Sequence, residues 1–204
     1  MNNRTDSDEY AMRLQAKSNV WWKKFLDVQA PYRWNLRRLT PGFTLDVGCG
    51  LGRNLVALDG VGVDHNATAV QSCRRQGLRA FLPEEFVKSG WARPATFDSL
   101  LLSHVVEHMS RDAATNLLRT YVPFLKWDGV LIMITPQERG FQADPTHVEF
   151  VDFDAAAVLQ RSVGFEPVSA ESFPLPRFTG RLFTYNEFVV VGRRPAASRS
   201  ETAD

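Results

Sequence analysis

The sequence predicts an α/β protein: an open, seven-stranded, mostly parallel sheet with helices on both faces. Three observations carry that expectation. The stretch LDVGCGLGRNL, from Leu45 to Leu55, runs an apolar segment (Phe43, Leu45, Val47) into Gly48, Gly50 and Gly52, and a helical pattern follows from about Asn54. Short apolar runs then alternate with amphipathic segments along the chain, the pattern of strand–helix–strand units. With 204 residues, 44% hydrophobic and 23% charged, the chain is long enough for one domain with a sizeable core.

In order, strands are expected near 43–47, 60–64, 78–82, 97–103, 130–135, 165–172 and 187–192. Helices are expected near 53–58, 66–76, 111–126 and 153–163, the last stopped by Gly164. An amphipathic helix over 8–30, carrying Tyr10, Leu14, Trp21, Trp22, Phe25 and Leu26 and ended by Pro31, predicts a lid segment at residues 1–40. The domain proper then spans 41–194, and the small, polar composition of 195–204 predicts a disordered tail.

The glycine turn selects its ligand by charge. Glycines let a chain turn tightly and let a ligand approach the backbone. A dinucleotide-binding turn requires a third glycine where this chain has Arg53, and it receives a pyrophosphate. Asp46 stands just before the turn, where a carboxylate repels a diphosphate and attracts a cation. S-adenosylmethionine, with its ammonium and sulfonium groups, is the cationic nucleoside ligand that fits. A nicotinamide oxidoreductase is disfavoured on the same grounds.

LDVGCGLG followed by VGVDHN resembles the first two motifs of class I S-adenosylmethionine-dependent methyltransferases. FDSLLLSHVVEHM (97–109) and DGVLIMITP (128–136) resemble that family's fourth and fifth strands, and GFEPV and NEFVVVG its closing antiparallel pair, so the last strand should be antiparallel. The resemblance runs from about residue 40 to 193. It implies that Asp46, Gly48, Gly50, Gly52 and Ser103 surround the cofactor, and that Asp64 accepts the ribose hydroxyls with His65 beside the adenosine. It also implies an acid near adenine at Glu84 or Glu85, with Phe81, Leu82 and Phe86 as apolar neighbours.

All four histidines fall just beyond strand carboxyl ends, the edge where open α/β sheets bind ligands. Transfer to a hydroxyl requires removal of its proton, which histidine suits near neutral pH. His108 and His147 are the candidate bases, and His104 the next. A metal reading stays open beside this one. His104, Glu107 and His108 share a helical face if the segment is helical, and Asp144 and His147 follow. Glu107, His108, Asp144 and His147 are then candidate ligands for Mg²⁺ or Mn²⁺. This resembles the metal pattern of small-RNA 2′-O-methyltransferases, which carry an acid in place of His104. An EH pair after the fourth strand also occurs in metal-free members.

Selectivity must come from short segments at the crevice. Gln137 follows the fifth strand, and FPLPRFTGRLFTYNEF (173–188) places Arg177, Arg181, Tyr185 and Asn186 among aromatics, a surface suited to a polyhydroxylated ligand. Together with DPTHVEF it resembles actinobacterial and polysaccharide-cluster sugar O-methyltransferases, including those of methylmannose polysaccharide synthesis. The expected partner is a small-molecule acceptor, with a homodimer possible. N- or C-methylation of a natural product, metal-assisted RNA 2′-O-methylation and a non-catalytic binding module are the alternatives.

A net charge of +1 supplies no basic field for nucleic acid, and RWNLRR (33–38) reads as a solvated helix face. The polar start MNNRTDSDEY lacks a signal-peptide core, no apolar run approaches 18 residues, and Cys49 and Cys73 show no metal spacing. These features lead to the expectation of a cytoplasmic enzyme with reduced thiols.

Overall fold

A computed structural model describes residues 29–195. Seven strands form one sheet: β1 (Thr44–Val47), β2 (Gly60–Val63), β3 (Ala80–Phe81), β4 (Phe97–Ser103), β5 (Leu125–Pro136), β6 (Glu166–Phe173) and β7 (Glu187–Arg193). Their order is β3-β2-β1-β4-β5-β7-β6. All neighbours pair in parallel except β7, which runs antiparallel to both β5 and β6. The chain winds outward in one direction from β1 and in the other from β4. The crevice of the fold therefore opens at the carboxyl ends of β1 and β4.

Alternation along the central strands divides the core into two layers. Leu45, Leu100, Leu102, Leu131, Met133 and Val190 face one side, against α3 (Pro83–Lys88), α4 (Arg111–Tyr121) and α6 (Phe153–Arg161). Leu101, Ile132, Ile134, Val189 and Val191 face the other, covered by Leu36 and Leu39 of α1 (Ala30–Leu39). Beside the first turn, Cys49 and Leu55 pack on Val70 and Cys73 of α2 (Ala67–Arg75), both cysteines being free thiols. Side-chain caps start three helices: Asn66 accepts from Ala69 N, Ser110 from Ala113 N and Asp152 from Ala155 N. Each such cap contributes about 1 kcal/mol.

Three features differ from or add to expectation. Pro31 lies in the first turn of helix α1, where proline's fixed φ and missing N–H are tolerated. The rest of the expected 8–30 helix, and the tail from 196, lie outside the described residues. No regular helix forms over 53–58; Val56 N bonds Gly52 O and Ala57 N bonds Asn54 O in successive turns, with Asn54 turned inward. Helix α4 stops at Tyr121, and Pro123 forces a short 3₁₀ turn before β5 begins at Leu125. A further short helix, α5 (Glu138–Gln142), follows β5.

Candidate active site

The first turn separates the three glycines by role. All have positive φ: 76° at Gly48, 52° at Gly50 and 82° at Gly52. A Cβ at Gly48 would lie 2.4 Å from Val105, and one at Gly52 2.6 Å from Leu78, so these two permit close packing. A Cβ at Gly50 would meet no protein atom within 4 Å. Gly50 thus borders open space, the cradle a ligand requires.

Two acids flank that cradle. Asp46 is fully buried; Asn54 donates to its Oδ1 at 3.4 Å, and Oδ2 has no hydrogen-bond partner among the described residues. Burial raises its pKa from 3.8 to about 7 against the pull of Asn54 and of the Arg53 charge. An orphaned carboxylate oxygen here fits a cationic ligand group, directly or through water. Asp64, at the end of β2, accepts from Gly50 N and Asn66 N, each at 2.8 Å, which fixes its carboxylate against the turn. His65 is exposed, its Nδ1 3.8 Å from Asp64. Ser103 ends β4 and lines the crevice with Tyr32, Asn35, Arg53, Asn54 and Glu187.

On the expected adenine side, Glu84 is exposed. Glu85 is engaged within the fold: it accepts from Leu82 N at 2.9 Å and pairs with Arg74, which holds its carboxyl below the usual range. Phe86 is fully buried in the core, whereas Phe81 and Leu82 stay partly exposed.

Beyond β4 the backbone turns abruptly. His104 has φ 58°, a left-handed conformation that a non-glycine residue adopts at a cost of about 1–2 kcal/mol, and its N–H bonds Ile134 O. Its two ring nitrogens face two carboxylates: Nδ1 lies 3.2 Å from Glu107 Oε1 and Nε2 2.8 Å from Glu187 Oε1. Burial opposes the charged ring, but the two acids outweigh it and raise the pKa to about 9. His104 is an imidazolium at neutral pH, a poor proton acceptor.

Glu107, His108 and His147 converge. The segment 106–108 is a single 3₁₀ turn, not an α-helix, and the loop after β5 completes the cluster: Val148 N and Glu149 N both donate to Glu107 O. One ligand atom from each of the three side chains lies within 4.8 Å of the others. Glu107 is fully buried, and among the described residues neither of its oxygens accepts a hydrogen bond; the His104 contact has ion-pair distance without the alignment.

The histidine tautomers follow from their neighbours. Thr146 Oγ1 donates to Asp144 at 2.7 Å, so it accepts from His108 Nδ1 at 3.1 Å. His147 Nδ1 donates to Phe141 O at 2.7 Å. With Nδ1 the donor in each ring, the neutral tautomer has its lone pair on Nε2. Burial lowers the pKa of His108. Asp144 stands behind the cluster, acting through Thr146, where the sequence placed it among the ligands.

On the acceptor side, Gln137 and Asn186 are fully buried and bonded to each other at 2.9 Å. Gln137 Nε2 also donates to Ser172 Oγ and Glu187 O, and Asn186 Oδ1 accepts from Leu175 N. They latch the 173–188 segment to the sheet. Arg177 pairs with Glu138 at 2.9 Å and lies over the Phe188 ring, while Arg181 and Tyr185 are exposed.

Sequence reasoning missed Glu187, Asn54, Thr146 and Tyr32. For Glu187 a signal existed: it is an acid opening a strand that is otherwise buried and apolar through Val191. The others act only through tertiary contacts.

Residues 45–133 match the methyltransferase domain family, a stretch holding the glycine turn, Asp64 and the His104–His108 segment. Solved structures share the fold at low identity. An S-adenosylmethionine-dependent methyltransferase from Archaeoglobus fulgidus superposes with a TM-score of 0.64 at 20% identity, covering 85% of this chain and 98% of its own. The Burkholderia thailandensis 1,6-didemethyltoxoflavin-N1-methyltransferase, with its substrate and S-adenosylhomocysteine bound, gives 0.58 at 20%, covering 91% and 88%. The magnesium protoporphyrin IX methyltransferase of Synechocystis, with bound S-adenosylhomocysteine, gives 0.58 at 12%, covering 83% and 86%. No curated protein matches the chain. Residues 45–133 thus carry a methyltransferase domain, and its first turn sets acids where a cationic nucleoside such as S-adenosylmethionine fits.

Proposed function

We propose that the protein methylates a hydroxyl of a small polyhydroxylated acceptor, a saccharide, with mannoside 1-O-methylation in polysaccharide synthesis as the specific form. The observation that carries the reading is the cluster of Glu107, His108 and His147 joined to the crevice through His104, which touches Glu107 on one nitrogen and crevice-lining Glu187 on the other. A hydroxyl, unlike a neutral amine or a thiolate, must lose its proton during attack, and a histidine–carboxylate group serves that need.

S-adenosylmethionine supplies a methyl group already activated on sulfonium. Asp46 holds the cationic methionine end, Gly50 gives the backbone clearance, and Asp64 receives the ribose hydroxyls. His104 stays charged and fixes Glu107 and Glu187 in place. Glu107, His108 and His147 meet the acceptor hydroxyl and assist loss of its proton. The exposed Arg181 and Tyr185, and Arg177 behind them, line the way in for a polar acceptor.

The test is transfer of labelled methyl from the cofactor to a panel of sugars, phenols and amines. Label on a sugar hydroxyl supports the reading. Label confined to amines or carbon assigns the N- or C-methylating alternative and overturns it.

A further inference from the structure

We propose that Glu107, His108 and His147 bind a first-row divalent cation, Mn²⁺ in preference to Mg²⁺, with Asp144 orienting a ligand from behind. Resting on the reading of this cluster as the acceptor-activating centre, the inference states how it works. Three observations converge. The carboxylate of Glu107 is fully buried and, among the described residues, neither oxygen accepts a hydrogen bond, with His104 at ion-pair distance only; a cation relieves that state. One ligand atom from each residue lies within 4.8 Å of the others, a spacing that small side-chain shifts close around one ion. Each histidine is anchored through Nδ1, His147 to a backbone carbonyl and His108 to a hydroxyl that is itself bonded to Asp144. That second layer fixes the Nε2 lone pair and ring angle in the manner of metal-ligating histidines.

The donor set chooses the ion. Two imidazole nitrogens and one carboxylate oxygen suit a borderline cation, whereas Mg²⁺ favours oxygen donors throughout. With only three protein ligands, coordination positions remain for two oxygens of a vicinal diol. A cation there lowers the pKa of the bound hydroxyl, whose proton leaves to solvent.

The test is calorimetry and Mn²⁺ electron paramagnetic resonance on the metal-stripped full chain, with no acceptor present. One Mn²⁺ site is expected, with Mg²⁺ binding at least about tenfold weaker. Glu107→Gln and His147→Ala should both lose the site while retaining S-adenosylhomocysteine binding, which reports the fold. Asp144→Asn should weaken Mn²⁺ by about 10–100-fold, as an orienting partner does. No Mn²⁺ binding by a wild-type chain that binds S-adenosylhomocysteine overturns the inference, as does equal Mn²⁺ affinity in His147→Ala. Failure of the acceptor panel with Mn²⁺ binding intact would instead overturn the saccharide reading and leave the ion in place.

Discussion

His104 at the end of β4 and Glu187 at the start of β7 lie 2.8 Å apart, although 83 residues separate them in the chain. The antiparallel insertion of β7 beside β5 makes this possible, since it brings the start of β7 to the carboxyl edge of the parallel strands. The contact links the cofactor crevice to the Glu107 cluster through one charged ring. Replacing Glu187 with Ala leaves that ring with a single acid, and we expect a loss of about 1–3 kcal/mol. Thermal unfolding should then fall by about 2–4 °C per kcal/mol in a domain of this size.

Asp46→Asn should separate stability from binding. The folded pKa of Asp46, about 7, lies above the unfolded value near 3.8. The folded state therefore holds the extra proton between those values, and its stability from this group falls as pH rises from about 4 to 7. Above pH 7 the ligand-free Asn variant should melt higher than wild type, while S-adenosylhomocysteine binds it more weakly. Calorimetry between pH 5.5 and 7.5 should show wild-type affinity rising with pH, because the ammonium pairs with the ionised form, and the variant should lose that slope.

Gly50→Ala and Gly48→Ala should fail differently. An added methyl at Gly50 meets no protein atom, so the fold should persist at a cost of about 1–2 kcal/mol for the positive φ, with cofactor binding abolished. At Gly48 the methyl collides with Val105, and melting temperature itself should drop. Circular dichroism melts alongside cofactor titration distinguish the two.

Asp64→Ala should weaken S-adenosylmethionine by about 2 kcal/mol or more, since the carboxylate is proposed to receive the ribose hydroxyls and anchors Gly50 N. NAD should bind neither form. Unchanged affinity in the variant would remove Asp64 from the cofactor site.

Much of this was legible in the chain because the parallel core announces itself locally. Each central strand is a short apolar run, and the glycines and acids that follow β1 and β2 carry their chemistry in their spacing. The misses have physical reasons. Asn54 reads as the start of a helix, yet its side chain turns inward to meet the buried Asp46, and the following residues form turns instead. Pro31 reads as a stop, whereas it is equally suited to a start. Glu107 and His108 looked like neighbours on a helix face, but they meet His147 through a 3₁₀ turn and the returning loop. Asp144 and His147 have ligand spacing, and only the folded loop separates the one that reaches the cluster from the one that braces it. Gln137 and Asn186 looked like sugar-binding amides because burial and mutual pairing leave no mark in sequence.

On the proposed function, Glu107, His108 and His147 activate the acceptor while a separate set of residues holds the cofactor. Steady-state kinetics of His147→Ala on a hydroxyl acceptor, paired with S-adenosylhomocysteine calorimetry on the same sample, measures that separation. A fall in kcat of about 10²-fold or more is expected, the scale of lost assistance to proton removal, with cofactor affinity unchanged. A near-wild-type kcat, or a cofactor affinity that falls in step with activity, would contradict it.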